Sequence, residues 1–158
     1  MARKVSIVVF SDDLDKACAA FNIANGAAAS GLEVTMFFTC FGVNILKRKG
    51  SLLRGDNIVS KLMNFLTRGG ASRLGLSKFN FLGLGGWLMR RQMDIKNIQS
   101  IPEMMADARE LGVNFFVCDN PMDIFGLKKE DLIDEVEDIL GVASYINKTL
   151  GSEITLFI

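Results

Sequence analysis

The sequence predicts an α/β domain built on a five-stranded, doubly wound parallel sheet. Short apolar runs recur at Val5–Phe10, Val34–Thr39 and Val113–Val117, the pattern of strands buried on both faces. Segments with apolar residues at helical spacing separate several of these runs. The chain has 158 residues, 49% of them apolar, which makes one domain, 1–158, able to fold without metal or disulfide.

Each element has its own signal. Val5–Phe10 is the first strand, and Ser11-Asp12-Asp13 follows as a cap with first-turn acids. Leu14, Ala17, Cys18, Phe21, Ala24 and Ala28 then mark one helical face that ends at Gly31. Val34–Thr39 is the second strand, so the chain opens β-α-β with a right-handed crossover. Ser100-Ile101-Pro102-Glu103 reads as a capping box with proline in the first turn. Met104, Met105, Ala108 and Leu111 supply that helix's apolar face, and Gly112 closes it. Val113–Val117 is the third strand, ending at Cys118. Val136–Leu140 is the fourth, Val142–Leu150 a helix, and Ile154–Ile158 the fifth. The default order for such a sheet is flavodoxin-like, 2-1-3-4-5.

Residues of about 47–99 break the alternation and form a helical and loop insertion between strands two and three. Asp56 and Asn57 can cap a helix carrying Ile58, Leu62, Phe65 and Leu66, stopped at Gly69-Gly70. A glycine-rich, aromatic stretch, Leu74–Met89, follows and holds the one tryptophan, Trp87. Gly83-Leu84-Gly85-Gly86 reads as a flexible loop. A phosphate-binding glycine motif belongs between a strand and a helix, and no GxxxxGK[ST] is present.

Composition narrows the chemistry. The chain has no histidine, which removes Ser-His-Asp and Cys-His nucleophile pairs and histidine-ligated zinc. The three cysteines, Cys18, Cys40 and Cys118, are far apart and form no CxxC, so no metal site or other cofactor is expected. Free thiols suit a reducing cytoplasm. No secretory leader is expected, because Val5–Phe10 is short and runs directly into acids. Lys+Arg and Asp+Glu balance at 18 each, yet residues 47–102 carry 11 basic and 2 acidic side chains while 103–158 carry 4 and 12. A basic middle segment attracts something anionic, or meets the acidic third within the fold or across an oligomer interface. Nucleic acid is not an expected partner. Phe79–Met89 with Arg90-Arg91 could lie on a membrane or a partner, or serve as a lid or oligomer contact.

Cys118 is the leading candidate site. With order 2-1-3-4-5, the switch point lies between strand one, ending at Ser11, and strand three, ending at Cys118. A short helix around Pro121–Phe125 would place backbone N–H groups at the thiol and lower its pKa. Ser11, Asp12, Asn120 and Met122 are expected to line the cleft. Arg90 and Arg91 could act as a basic lid, and Cys40, at the end of strand two, is the second candidate thiol. Cys18 is expected in the core, and a buried inert cysteine is the competing reading of Cys118 itself.

These residues resemble a known family. Phe37-Phe38-Thr39-Cys40-Phe41-Gly42-Val43-Asn44, the segment Gly83–Met89, the run Met104–Val117 and the stretch from Cys118 to Gly126 are similar to the DsrE/DsrF/DsrH-like sulfur-relay group, in its DsrE-like subfamily with a long central insertion. The family motif after strand three reads roughly Cys-x-x-Ser-Met-x-x-x-Gly. Cys118, Met122 and Gly126 match it, Pro121 replaces the serine, and Cys40 falls where the family often has an aromatic residue. The resemblance implies a sulfurtransferase or sulfur carrier that holds sulfane sulfur as a persulfide on Cys118 and passes it on. Its partners would be sulfur donors and acceptors, and it would be a homo-oligomer. The alternative is a non-catalytic scaffold of the same fold that docks a partner or a membrane through the insertion.

Overall fold

A computed structural model describes residues 3–48, 55–67 and 69–158. Lys49, Arg54 and Arg68 of the basic segment lie outside them. Five strands, β1 (Lys4–Val9), β2 (Glu33–Phe38), β3 (Asn114–Cys118), β4 (Val136–Leu140) and β5 (Ile154–Phe157), form one sheet in the order β4-β3-β2-β1-β5. Every pairing is parallel.

The α/β class and five parallel strands match the expectation, but the order 2-1-3-4-5 does not. β2 sits between β1 and β3 instead of at an edge. Its burial explains why: after Glu33, every residue from Val34 to Phe38 is buried. A strand apolar on both sides needs neighbours and layers on both sides. β4, which carries Glu137 and Asp138, and the short, exposed β5 take the edges instead.

Two successive steps in one direction, β1 to β2 to β3, put α1 (Leu14–Ala29) and α4 (Ile101–Glu110) on the same face. Phe21 of α1 meets Phe38 and Phe115 there, with centroids 6.2 and 5.9 Å away. α4 starts as its sequence predicts: Glu103 Oε2 accepts from the Ser100 backbone N–H at 2.7 Å and from its hydroxyl at 2.8 Å. The return from β4 to β5 reverses direction, so α6 (Val142–Thr149) covers the opposite face.

The insertion closes over the C-terminal strand ends. A 3-10 turn, Cys40–Leu46, leaves β2. Then α2 (Ile58–Thr67), capped by Asn57 Oδ1 on the Ser60 N–H at 2.8 Å, packs on α5 (Asp119–Phe125). The glycine-rich stretch is not a simple loop. It leads into α3 (Leu84–Ile95), with Gly85 and Gly86 buried in the first turn. A Cβ on Gly85 would stand 2.1 Å from the Phe79 carbonyl oxygen, so the glycines let the helix start lie on the preceding backbone. The same stretch is tied to α1: Leu14 N–H donates to Gly75 O at 2.7 Å, and Ser77 Oγ to Asp15 at 2.6 Å.

Candidate functional site

Cys118 is the last residue of β3, and α5 begins immediately after it. Side-chain alternation turns Phe116 and Cys118 toward α6. There they cluster with Phe37 and Tyr145, flanked by Val8 and Leu140. The Tyr145 hydroxyl hydrogen-bonds to Ser6 of β1, and the Lys148 ammonium lies 4.8 Å above the Phe116 ring. Under this cover Cys118 is 1% exposed.

Position alone predicts a lowered thiol pKa, and the structure reverses the sign. Burial pushes the Cys118 thiol up from its ordinary value. The Thr39 hydroxyl and the Asn120 backbone N–H favour the thiolate. The Asp119 carboxylate, which accepts the S–H at 3.7 Å, opposes it. What the fold supplies here is shelter more than activation.

The corrected strand order changes what lies beside this thiol. Phe38 pairs with Val117, so the next residues, Thr39 and Cys118, stand opposite each other, and Cys40 follows one step on. Cys40 is exposed and takes a left-handed conformation, φ 48°, where the chain leaves the sheet. The Thr39 hydroxyl lies 4.0 Å from Cys40 Sγ and is also the side chain that most favours ionised Cys118. Gly42 permits the turn, since a Cβ there would meet the Val9 carbonyl oxygen at 2.1 Å. The two candidate thiols therefore flank one hydroxyl on neighbouring strands.

Ser11 and Asp12 belong to the end of β1, with β2 between them and Cys118. Ser11 Oγ donates to Asp13 at 2.8 Å, and Asp12 accepts from Asn44 Nδ2 at 2.9 Å, with burial raising its carboxyl. The observed strand order does not set them beside Cys118. Asn120 reaches the thiol through its backbone, and the Met122 side chain belongs to the main core. Arg90 donates to the Leu74 carbonyl at 2.7 Å, and neither Arg90 nor Arg91 is among the main influences on Cys118. Cys18 is half-buried on α1, accepts from Asn22 Nδ2 at 3.5 Å, and is pushed up by burial.

Sequence reasoning missed Thr39, Tyr145 and a buried link behind α5. Lys47 is 4% exposed, donates to Asn64 Oδ1 at 2.8 Å and lies 4.9 Å from the Phe125 ring centroid. Asn64 Nδ2 donates to the Phe125 carbonyl at 2.7 Å, joining α2 to the helix that follows Cys118. Placing β2 beside β3, as its unbroken apolar run demands, would have exposed the role of Thr39. A cavity of about 510 Å³ beside α4, lined in part by Arg48, Met105, Arg109 and Phe115, opens on the sheet face away from the thiol. Its arginines are paired, Arg48 with Asp134 and Arg109 with Glu135. Among the described residues, no group of three Cys, Asp or Glu side chains converges as a metal site.

Fold and site together define a small parallel α/β protein organised around a sheltered strand-end cysteine. The chain belongs to the DsrE/DsrF/DrsH-like family, whose model matches residues 1–157. It is 37% identical over 156 residues to the uncharacterized protein YrkE of Bacillus subtilis (strain 168), covering 99% of this chain and 97% of that one. It is 32% identical over 165 residues to the sulfur carrier protein DsrE2 of Allochromatium vinosum, covering 99% and 98%. Two solved structures share the fold. The ychN protein from E. coli aligns with TM-score 0.59 at 14% identity over 100% of both chains. The protein MTH1491 from Methanobacterium thermoautotrophicum aligns with TM-score 0.58 at 16% identity over 99% of both.

Proposed function

We propose that this protein is a sulfur carrier or sulfurtransferase of a sulfur relay, holding sulfane sulfur as a persulfide on Cys118 and passing it to an acceptor. The observation that carries this reading is Cys118 itself, a strand-end thiol sealed under α6 in a chain 32% identical to a sulfur carrier protein. A persulfide loses its outer sulfur to any thiol that reaches it, so a carrier benefits from burial more than from a strongly activated nucleophile. The chain needs no histidine for this, because the attacking group is a thiolate and a carboxylate or solvent can take the thiol proton. A reducing cytoplasm is the setting that fits three free cysteines. Incubation of the reduced protein with a sulfane-sulfur donor should add one sulfur, about 32 Da, at Cys118. Cys118→Ser should abolish the adduct stored there. If no cysteine takes up sulfur, the carrier reading fails.

A second reading, docking through the insertion, rests on a separate observation. α2 exposes Ile58, Val59, Leu62, Phe65 and Leu66, and residues 79–88 expose Phe79, Phe81, Leu82, Trp87 and Leu88. Exposed apolar side chains in segments that also carry Lys61, Lys78 and Arg91 fit a second subunit, a partner protein or an anionic bilayer surface. No helix among the described residues is long and apolar enough to cross a membrane. Sedimentation with and without anionic vesicles separates the cases. A homo-oligomer in buffer alone supports subunit contact, and salt-sensitive co-sedimentation lost in Trp87→Ser supports a lipid surface.

A further inference from the structure

We infer that Cys40 is the receiving thiol of a two-cysteine relay: sulfur from an outside donor is taken first by Cys40 at the surface, then handed inward to Cys118. The inference rests on the carrier reading of Cys118 and adds the route by which that thiol is loaded.

The argument begins with access. Cys118 is 1% exposed beneath Phe37, Phe116 and Tyr145, so a donor as large as a protein, or even a persulfidated tripeptide, cannot bring its sulfur to that Sγ. Cys40 is exposed. It is also held in place, at φ 48°, by Gly42 N–H donating to Thr39 O at 2.9 Å and to Phe10 O at 3.1 Å. The register that puts Thr39 opposite Cys118 leaves Cys40 one residue beyond, on the adjacent strand end. Thr39 then serves both sulfurs, with its hydroxyl 4.0 Å from Cys40 Sγ and favouring the thiolate of Cys118. A hydroxyl so placed can steady whichever sulfur carries the negative charge as the transfer proceeds.

The chemistry balances without an oxidant or a reductant. The Cys40 thiolate attacks the outer sulfur of a donor persulfide, R–S–SH. A bond forms from Cys40 Sγ to that sulfur, the donor S–S bond breaks, and RS⁻ leaves. Cys118 then gives its proton to the Asp119 carboxylate that already accepts its S–H. Its thiolate attacks the outer sulfur of the Cys40 persulfide. The new S–S bond is on Cys118, Cys40 leaves as the thiolate it began as, and Asp119 releases its proton to solvent, where RS⁻ takes one up. In sum, R–S–SH and Cys118–SH become R–SH and Cys118–S–SH, with Cys40 unchanged.

The test is a quenched time course with glutathione persulfide on the full chain, alkylated and read by peptide mass. In the wild type, the 32 Da increment should appear on the Cys40 peptide first and on the Cys118 peptide afterwards. In Cys118→Ser it should accumulate on Cys40 and stay there. In Cys40→Ser, loading of Cys118 should slow at least tenfold. Cys40→Ala, checked for an unchanged melting temperature, should do the same. Wild-type loading of Cys118 in either Cys40 variant, or labelling of Cys118 before Cys40, overturns the relay while leaving the carrier reading intact. Absence of sulfur on both cysteines rejects the carrier reading and the relay with it.

Discussion

The rings of Phe37 and Tyr145 stack with centroids 4.1 Å apart and planes 7° from parallel. Phe37 belongs to β2 and Tyr145 to α6, so this contact presses the return helix onto the sheet face that holds Cys118. The helix itself is only eight residues long. Tyr145→Ala should therefore cost about 3 kcal/mol in urea unfolding, by losing a buried ring. It should also raise the rate of Cys118 alkylation in the native state. Tyr145→Phe keeps the ring and loses the hydrogen bond to Ser6, and should cost about 1 kcal/mol with little change in alkylation.

The thiol of Cys118 should ionise above the usual cysteine range, because burial is the largest influence on it. In a Cys18→Ser, Cys40→Ser background, its alkylation rate should rise with pH to a midpoint above 9.0, the ordinary value. Thr39→Val removes the hydroxyl that favours the thiolate and should move the midpoint further up. A profile that shifts down on that substitution would refute the placement of Thr39.

Lys47 makes the stability pH-dependent in a defined direction. Burial lowers its pKa from 10.5 to about 8, although Asp12 and Asp131 pull upward. Between those values the unfolded chain binds more protons than the folded one, so stability rises with pH, by up to about 3 kcal/mol. The buried thiols act oppositely at the top of this range, in wild type and variant alike. The difference between wild type and Lys47→Met, measured by urea unfolding at pH 7.5 and 10, isolates the lysine. That difference should grow in favour of the wild type at the higher pH.

Gly85→Ala should loosen the insertion without unfolding the sheet. Its Cβ would overlap the Phe79 carbonyl oxygen, which forces a backbone shift costing about 1–3 kcal/mol. Limited proteolysis should cut between residues 74 and 95 faster than in the wild type, while β1 to β3 keep their amide protection.

Much of the fold was legible because its signals are local. The five strands fall within one or two residues of the positions their apolar runs mark, and Ser100 and Glu103 close the capping box that their spacing announces. α3 escaped because Gly83, Gly85 and Gly86 score as helix breakers. Close backbone contact with Phe79 and Leu74 makes Gly85 and Gly86 the residues that fit, and Gly83 supplies a left-handed φ of 101°.

The site divides along the same line. Cys118 and Cys40 as strand-end thiols follow from sequence, since a strand's end and its side-chain alternation are properties of a few consecutive residues. Their relationship does not. Cys18 shows the limit as well, expected in the core and found half-buried at its margin. Which strands become neighbours depends on how each layer buries its apolar faces across the whole sheet. In the order 2-1-3-4-5, β1 would separate the two cysteines and set Ser11 and Asp12 beside Cys118. The observed order places Thr39 there. The direction of the thiol's pKa shift was equally hidden, because it turns on burial beneath Tyr145, a residue 27 positions further along the chain. Residue identity named the sulfurs, and packing decided which one is sheltered, which one faces solvent and what lies between them.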